Sequence, residues 1–223
     1  MRAASSALFD TLTPRATRSV QRILEAAAGL FGREGYQGAS MLSVAREAGV
    51  SKGLLHYHFR SKEHLLVEAQ RAIFRQLWQR WDHRFDQGEQ GMAAALEALD
   101  ALWASIREMR TWAPFMVEVL SLAAEPGPVR RHLDEFYAEA DDMLEQGIRR
   151  AFVGQLDALM LPPARLGPLV RVGMHGLIYE LALVRSERDL SRIDQSYRDI
   201  RAAFEQAVLS GPLPTPSSTQ ERS

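Results

Sequence analysis

The sequence predicts an all-α protein in which a small N-terminal three-helix bundle precedes a larger helical domain. Apolar residues recur at helical spacing through most of the chain, between turns that contain glycine or proline. No segment alternates apolar and polar residues as a half-buried strand does, and no internal repeat is visible. With 223 residues, 46% of them hydrophobic, the chain is long enough to bury a sizeable core.

The first helix is predicted over residues 17–34. Its apolar residues recur on one face, at Val20, Ile23, Leu24, Ala27, Leu30 and Phe31. Gly35 is expected to end this helix. Tyr36 then packs into the core of the small bundle or, as the alternative, contacts a phosphate.

Residues 40–62 contain two short predicted helices joined by a tight turn. Ser40 is a predicted N-cap for the first, residues 41–48, because its hydroxyl can accept a hydrogen bond from the first turn. Gly49 follows where a left-handed residue must end the helix. Ser51 then caps the second helix, residues 52–59. This is the layout of a helix-turn-helix, whose second helix enters the major groove of DNA.

Six further helices are predicted after the helix-turn-helix. They span residues 61–87, 92–109, 112–124, 129–152, 165–186 and 194–209. Residues 210–223 lack apolar periodicity and are expected to be a disordered tail. The predicted organisation is therefore an arm (1–15), a helix-turn-helix domain (16–62), a second helical domain (63–209) and the tail.

The composition excludes several kinds of chemistry. The chain has no cysteine, so disulfides, thiolate metal sites and cysteine nucleophiles are excluded. No apolar run is long enough to span a membrane, and the apolar segment before Asp10 is too short for a secretory signal. We therefore expect a soluble, cytoplasmic protein.

Positive charge is concentrated at the N-terminal end. Residues 1–65 hold nine Lys/Arg against five Asp/Glu, whereas the rest of the chain holds eighteen against twenty-three. Both lysines of the chain, Lys52 and Lys62, lie in the predicted helix-turn-helix segment. A basic N-terminal third suits a domain that contacts DNA phosphates. In the arm, Arg15 and the nearby Arg18 could reach a phosphate or the minor groove, although a solvated tail explains them equally well.

An ordered set of short motifs runs through residues 17–66. It comprises Ile23-Leu24-x-Ala26-Ala27, Leu30-Phe31, Gly35-Tyr36, Ala48-Gly49-Val50-Ser51-Lys52-Gly53 and His58-Phe59-x-Ser61-Lys62-Glu63. This set resembles the N-terminal domain of TetR-type (TetR/AcrR) transcriptional regulators. Two positions depart from the family pattern: His56 stands where tyrosine is usual, and Ala39 replaces the usual threonine.

The helix-turn-helix and the resemblance together predict a DNA-binding surface. Lys52 lies in the first turn of the second helix, which meets base edges, and lysine donates well to the O6 and N7 atoms of guanine. We predict that Lys52 reads a guanine, with a phosphate contact as the alternative, that Leu54 touches a thymine methyl, and that Gly53 allows close approach. The resemblance implies that His56, Tyr57, His58 and Lys62 contact phosphates. For His58, a packed core position is the alternative. The predicted surface is Ser40, Ser51, Lys52, Gly53, Leu54, His56, Tyr57, His58 and Lys62.

The resemblance also implies that residues 63–209 bind a small-molecule effector and form a homodimer through the last two helices. Apolar stripes on these helices fit this pairing, but they would serve the core of one chain equally well. The stripes are Leu166, Val170, Gly173, Leu177 and Leu181, and Ile193, Tyr197, Ile200, Phe204 and Val208.

A ligand pocket is predicted from aromatic and methionine residues, although such residues at helical spacing also suit a plain core. The candidates are Trp103, Trp112, Phe115, Met116, Tyr137, Met143, Met174, Tyr179 and Glu180. Glu180 falls within an apolar arc, where a carboxylate needs a partner. We expect that partner to be an arginine across the dimer interface or, alternatively, a cationic ligand.

The resulting functional prediction is a ligand-responsive DNA-binding transcriptional regulator. We expect it to be a repressor that binds a pseudo-palindromic DNA operator as a homodimer and is released by a small molecule. The alternative is a helical small-molecule or lipid-binding protein with weak or lost DNA binding, and an all-α enzyme comes third. His56 and His58 would point to nearly opposite sides of a helix, so no metal site is predicted. No cofactor and no catalytic residue are predicted.

Overall fold

The computed structural model describes residues 13–82 and 90–208, and the regular structure in these ranges is helical. The all-α prediction is confirmed. The helices of the described ranges are α1 (Pro14–Gly38), α2 (Met41–Glu47), α3 (Lys52–His58), α4 (Lys62–Asp82), α5 (Gly91–Glu108), α6 (Ala113–Leu122), α7 (Pro128–Ala151), α8 (Pro163–Ala182) and α9 (Glu187–Val208). We call α1–α3 the head and α5–α9 the body; α4 connects them.

Helix α1 begins earlier than predicted. Thr13 caps it by accepting a hydrogen bond from the Ala16 N–H at 3.4 Å. Pro14 occupies the first turn, where its missing N–H leaves no bond unmade. Arg15 is therefore helical and not part of an arm. The remaining arm residues, 1–12, lie outside the described residues.

The predicted end of α1 is a break and not a terminus. Gly35 has φ 72° and ψ 167°, a left-handed conformation that favours glycine. A last turn follows the break, and the Ala39 N–H donates back to the Gly35 carbonyl at 3.2 Å. The break changes the chain direction shortly before α2 begins.

One apolar core joins the head to the rest of the molecule. It contains the buried face of α1 together with Leu55 and Phe59, and it continues through Leu65, Leu66 and Ala69 into α6 and α7. Burying side chains of this size stabilises the fold by about 1.5–3 kcal/mol each. The head therefore packs directly on α4 and α6.

The body has two further apolar clusters, and polar contacts tie α5 to α9. Trp103 and Tyr197 stack at 5.1 Å between ring centroids. The Tyr197 hydroxyl donates to the Asp100 carboxylate, which also accepts from Arg201 Nε at 2.9 Å. Burial, and then the Asp100 bond, raises the pKa of Tyr197. This arrangement fixes α9 across α5.

The turn between α8 and α9 differs from the prediction. Helix α8 ends at Ala182 and α9 already begins at Glu187, whereas the predicted boundaries were residues 186 and 194. Ser186 explains the early start, because its hydroxyl accepts from the Asp189 N–H at 3.2 Å. The polar first turn of α9 has no apolar periodicity, so apolar spacing missed it.

Two other predicted boundaries fall on residues outside the described ranges. Helix α4 is described to Asp82, and the predicted end at residue 87 lies within 83–89. The predicted tail, 210–223, also lies outside. Among the described helices, none combines the length and apolarity required to cross a bilayer.

Candidate nucleic-acid interface

Helix α3 is anchored on one side and exposed on the other. Leu55 is fully buried within it, and Phe59 is fully buried at its C-cap. Lys52, Gly53 and His56 are exposed, and Tyr57 is 80% exposed. Leu54 is half-buried beside them. The sequence-predicted base-contacting residues therefore lie together on one free face.

Serine caps hold the turn that presents α3. The Ser51 hydroxyl accepts from the Leu54 N–H at 3.1 Å, and Gly49 adopts φ 62°. Ser40 and Ser43 form a reciprocal capping box at the start of α2, with the Ser43 N–H donating to Ser40 Oγ at 3.0 Å. Both predicted caps are confirmed, and each hydroxyl already bonds the backbone of its own helix.

His58 occupies the packed position that was its alternative. Its side chain is only 9% exposed, and its ring lies 5.0 Å from the Tyr57 ring. Burial lowers the pKa of His58, so the imidazole is held neutral. The packed alternative therefore fits His58, and its phosphate contact stays a prediction.

Lys62 faces the protein in this structure. Its ammonium donates to the Tyr36 carbonyl at 2.7 Å and to the Ala39 carbonyl at 3.2 Å. It also lies 4.2 Å from the centroid of the Tyr36 ring. Two of its three donors are thereby used, so Lys62 holds the end of α1 and its phosphate contact stays a prediction. Tyr36 itself is half-buried against Phe31, which agrees with its predicted position in the core of the small bundle.

A basic cleft of about 740 Å³ runs between the N-terminal half of α1 and the turn before α3. Arg15, Arg18 and Arg22 line it on one side of α1, and none of them forms an ion pair with a described residue. The other lining residues are Ser19, Gln21, Glu25, Gly49, Val50, Ser51 and Leu54. Sequence analysis missed Arg22, although the spacing of three and four residues between these arginines is the signal for a shared helix face.

Comparisons with known proteins agree with this geometry. Residues 23–69 match the family model described as bacterial regulatory proteins, tetR family. The HTH-type transcriptional regulatory protein RaaS of Mycobacterium tuberculosis is 28% identical over 179 residues, which cover 79% of this chain and 77% of RaaS. The HTH-type transcriptional regulator BetI of Agrobacterium fabrum is 42% identical over 55 residues, 25% of this chain and 27% of BetI. Residues 23–69 are therefore similar to the DNA-binding domain of TetR-family regulators.

Solved structures show the same fold over most of the chain. A Rhodococcus sp. protein assigned to the TetR family superposes with a TM-score of 0.71 at 21% identity, covering 87% of this chain and all of that one. A Saccharomonospora viridis regulator solved in complex with choline gives 0.69 at 18% identity, with coverage of 87% and 99%. These structures share the fold of the chain, and the family-model match and the RaaS similarity support a transcriptional regulator with a helix-turn-helix domain.

The predicted pocket residues of the regulator do not surround one cavity. Phe115 is fully buried at the contact between α1 and α6, and Trp103 and Met174 are buried in the body core. Partly buried positions against these cores are taken by Trp112, Met116, Tyr137 and Met143. These residues fit the plain-core alternative, because their side chains are packed in the contacts between helices.

Tyr179 and Glu180 lie on the outside of α8. Tyr179 is 51% exposed. The Glu180 carboxylate accepts from Arg192 of α9 in the same chain at 3.0 Å. Within one chain, Glu180 is therefore half-exposed and paired with an arginine of the neighbouring helix, and its predicted contact with an arginine across a dimer interface or with a cationic ligand stays a prediction.

A small apolar cavity of about 30 Å³ lies in the body between α5, α7, α8 and α9. Its walls are Ala95, Ala98, Leu99, Leu102, Leu144, Gly147, Ile148, Ala151, Val170 and Phe204. No predicted pocket residue lines it. Where α5 faces α7, the cavity lining is alanine, glycine, leucine and isoleucine, so a prediction based on aromatic and methionine residues could not find it.

Buried polar groups without partners lie nearer to the head. Gln70 of α4 is fully buried, His132 of α7 is nearly so, and neither side chain has a hydrogen bond within the described ranges. Burial, and then the nearby Arg71, lowers the pKa of His132 to about 4. Buried polar atoms are nearly always bonded, so these two groups suit a bound water or ligand.

The apolar stripes predicted for dimerisation mostly serve the chain's own core. Leu166, Leu177 and Leu181 of α8 are buried, as are Ile193 and Tyr197 of α9. A different stripe is exposed on α8, with spacings of three and four residues: Leu169, Val172, Gly176, Tyr179 and, at the C-cap, Leu183. The surface available to a partner is thus the face next to the predicted one.

Proposed function

We propose that this protein is a TetR-family repressor that binds a pseudo-palindromic operator as a homodimer and leaves it when a small molecule binds the body. The observation that carries the proposal is the free face of α3 beside a basic cleft. A single short helix reads few bases, so useful specificity needs two half-sites and two heads.

Base recognition is assigned to the first turn of α3. Lys52 is exposed at its start and donates to guanine O6 or N7 in the major groove. Gly53 has no side chain to hold the backbone away, and a Cβ there would meet only Ser51 Oγ at 4.0 Å. Leu54 contacts a thymine methyl at the rim of the cleft.

Phosphate contacts are assigned to both edges of α3. His56 and Tyr57 are exposed on one side, and the three cleft arginines supply charge on the other. Such contacts fix the register of the head on the duplex without reading sequence. Each neutralised phosphate adds about one unit to the salt dependence of binding.

The exposed α8 stripe is assigned to self-association. Leu169, Val172, Gly176, Tyr179 and Leu183 repeat as the apolar positions of a heptad do, which suits a helix packed on a copy of itself. A Cβ at Gly176 would meet nothing within 4 Å, so the backbone of a partner helix can come close at this point. Large exposed apolar side chains in one row mark an interaction site.

The effector is assigned to the small apolar cavity of the body, and the unpartnered side chains Gln70 of α4 and His132 of α7 are the second candidate site. Gln70 belongs to α4, which leads from the head into the body, so a ligand bound there acts on the connecting helix. Release requires only that the ligand prefer the arrangement of heads that does not fit the operator. The Saccharomonospora viridis neighbour was solved with choline, which makes a small polar cation one effector class to screen.

A mobility-shift assay with duplexes selected from a random library tests the DNA-binding part. We expect wild-type protein to select a pseudo-palindrome and its affinity to fall steeply with salt. Lys52→Ala should lose discrimination at one G·C position per half-site, about 1–3 kcal/mol. If discrimination at every G·C position survives, Lys52 does not read a base; if no duplex is selected in dilute buffer, the proposed function is wrong.

The cleft arginines have a separate test. Arg18→Ala and Arg22→Ala should weaken binding to all duplexes alike and lower the salt slope by roughly one ion each. Arg165→Ala, an exposed arginine at the start of α8, is the matched control and should leave the slope unchanged. If the salt slope of DNA binding is the same in all three variants, the cleft does not contact the DNA.

A further inference from the structure

The break in α1 lies directly against α6 of the body. Helix α6 reaches across to the break, where the Tyr36 backbone N–H donates to the Glu118 carboxylate. A Cβ at Gly35 would come within 3.5 Å of Glu118 Oε1, and the positive φ of Gly35 is itself unfavourable for other residues. A body side chain thus binds the head backbone at the residue that follows the break.

A second contact fixes the same two helices one turn earlier. A Cβ at Gly32 would lie 3.0 Å from the Phe115 backbone nitrogen, so only glycine allows α6 to approach this closely. The Phe31 and Phe115 rings stack with centroids 6.1 Å apart. The Phe115 and Glu118 contacts lie at two points along α6, so together they fix the direction of α1 relative to α6.

The other side of the break is held by the start of α4. Lys62 donates to the carbonyls of Tyr36 and Ala39, as described above. Ala39 is followed at once by Ser40, the cap of α2. Residues 35–39 are therefore bound by the body on one side and by α4 on the other, and the helix-turn-helix begins at their end.

We propose that Glu118 is a positioning residue that sets the angle between the head and the body. An ionised carboxylate that accepts a backbone N–H forms a stronger bond than a neutral pair does, and here it restrains a segment without regular helix geometry. In the dimer of the proposed function, on which this proposal rests, that angle sets the distance between the two copies of α3. Glu118 touches no DNA, so its loss alters fit and not the number of phosphate contacts.

Pulsed electron paramagnetic resonance measures this angle without DNA. The chain has no cysteine, so Leu42→Cys in the head and Glu139→Cys in the body, both at exposed positions, give two specific spin labels. Labelled protein diluted with excess unlabelled protein reports the distance within one chain. We expect a narrow distribution in the otherwise wild-type chain and a broadened or shifted one with Glu118→Ala.

Two variants separate positioning from general damage. Glu118→Gln keeps an acceptor oxygen and should retain most of the narrow distribution, whereas a residue that merely stabilises the fold would show no such rescue. Glu125→Ala, an exposed carboxylate just beyond α6, should change nothing. If the distribution is the same with Glu118→Ala as without it, Glu118 does not position the head, whatever happens to the melting temperature.

Operators with altered spacing give the matching DNA readout. Wild-type protein should prefer one separation of half-sites, and Glu118→Ala should reduce that preference by roughly tenfold, the effect of losing one strong hydrogen bond. The salt slope should stay unchanged, because no phosphate contact is lost. An unaltered spacing preference contradicts the proposal. If no variant binds DNA, the proposed function fails, while the distance measurement still decides the role of Glu118.

Discussion

Several polar residues of the head hold its own structure before they meet any partner. Ser40 and Ser51 cap helices, and Lys62 binds two carbonyls at the end of α1. Lys52 and Tyr57 are free of such bonds among the described residues and are exposed. At the residue scale, the proposed recognition of DNA therefore depends on side chains such as these, which make no structural hydrogen bonds.

Gly32 allows α1 and α6 to pack closely because it has no side chain beyond a hydrogen atom. Gly32→Ala should lower the free energy of unfolding by about 1–3 kcal/mol, because the new methyl meets the Phe115 backbone and overpacks the contact. Gly29→Ala is the matched control on the same helix. Its methyl meets only the flexible end of Arg33, so the lower helix cost of alanine should stabilise the protein by about 0.5–1 kcal/mol. Urea denaturation measures the free energy of unfolding of both variants. Equal changes in the two would contradict the close approach of α6 to Gly32.

Two histidines make stability depend on pH. Burial, followed by Arg71 and Arg171 respectively, lowers the pKa values of His132 and His175 to about 4. In the unfolded chain both titrate near the ordinary value of about 6.5, so the unfolded state binds more protons between these pH values. The free energy of unfolding should therefore fall as pH drops from about 6.5 towards 4, by on the order of 1–2 kcal/mol per histidine at pH 5.

Urea denaturation at pH 7.5 and pH 5 tests this dependence. His132→Leu and His175→Leu should each reduce the difference between the two pH values by the share of that histidine. The double variant should remove most of the dependence in this window. A pH dependence that survives in the double variant would assign it to other groups.

At the scale of elements, helix ends decide where α8 stops and α9 starts. The Ser186 cap begins α9 close to the end of α8, which leaves only a short turn between the two helices. Asp100 and Tyr197 then hold α9 on α5. The position of α9 is thus set by its first turn and by several polar contacts with α5, among them the Arg201 bond to Asp100 and the Arg107 ion pair with Asp194.

The Ser186 cap can be measured directly. Ser186→Ala should lower the free energy of unfolding by about 1 kcal/mol, because the Asp189 N–H loses its acceptor. Ser191→Ala is the control within the same helix, where the hydroxyl only bonds back to the Glu187 carbonyl. Alanine there should be neutral or slightly stabilising. Chemical denaturation of both variants should show opposite signs, and equal losses would contradict the capping role.

At the scale of the whole molecule, the described residues form an exposed basic surface and an exposed apolar surface on different parts of the chain. The basic cleft and the face of α3 belong to the head, and the apolar α8 stripe belongs to the body. The apolar core that runs from α1 through α4 into α6 and α7 connects them. A rearrangement of the body can therefore reach the head through packed side chains.

The α8 stripe predicts the oligomeric state. Val172→Glu should convert the dimer to a monomer in sedimentation and weaken binding to a two-half-site operator, because it places a charge in the centre of the apolar row. Val153→Glu is the matched control, since Val153 is exposed to nearly the same extent, 56% against 59%, but lies outside the stripe. A wild-type protein that sediments as a monomer, or a Val172→Glu variant that stays dimeric, would contradict the assignment.

Local chemistry was sufficient to predict the head. Gly49 had to be left-handed, Ser40 and Ser51 had to cap, and Leu55 and Phe59 had to be buried, because each of these requirements acts within a few residues. The helices, the free face of α3 and the family resemblance follow from the same short-range signals. Residues at helical spacing report which face is buried in α1, whereas α8 also carries an exposed apolar stripe that the predicted one did not include.

Only the tertiary structure decided what each apolar or charged face meets. Spacing could not show that Leu177 faces the core while Val172 faces solvent, or that Phe115 packs on Gly32 instead of lining a pocket. It could not show that Lys62 turns inward or that Glu118 reaches Tyr36, 82 positions away along the chain. The physical reason is that helix period is a property of one helix, whereas a contact between helices depends on two surfaces and on the path of the chain between them.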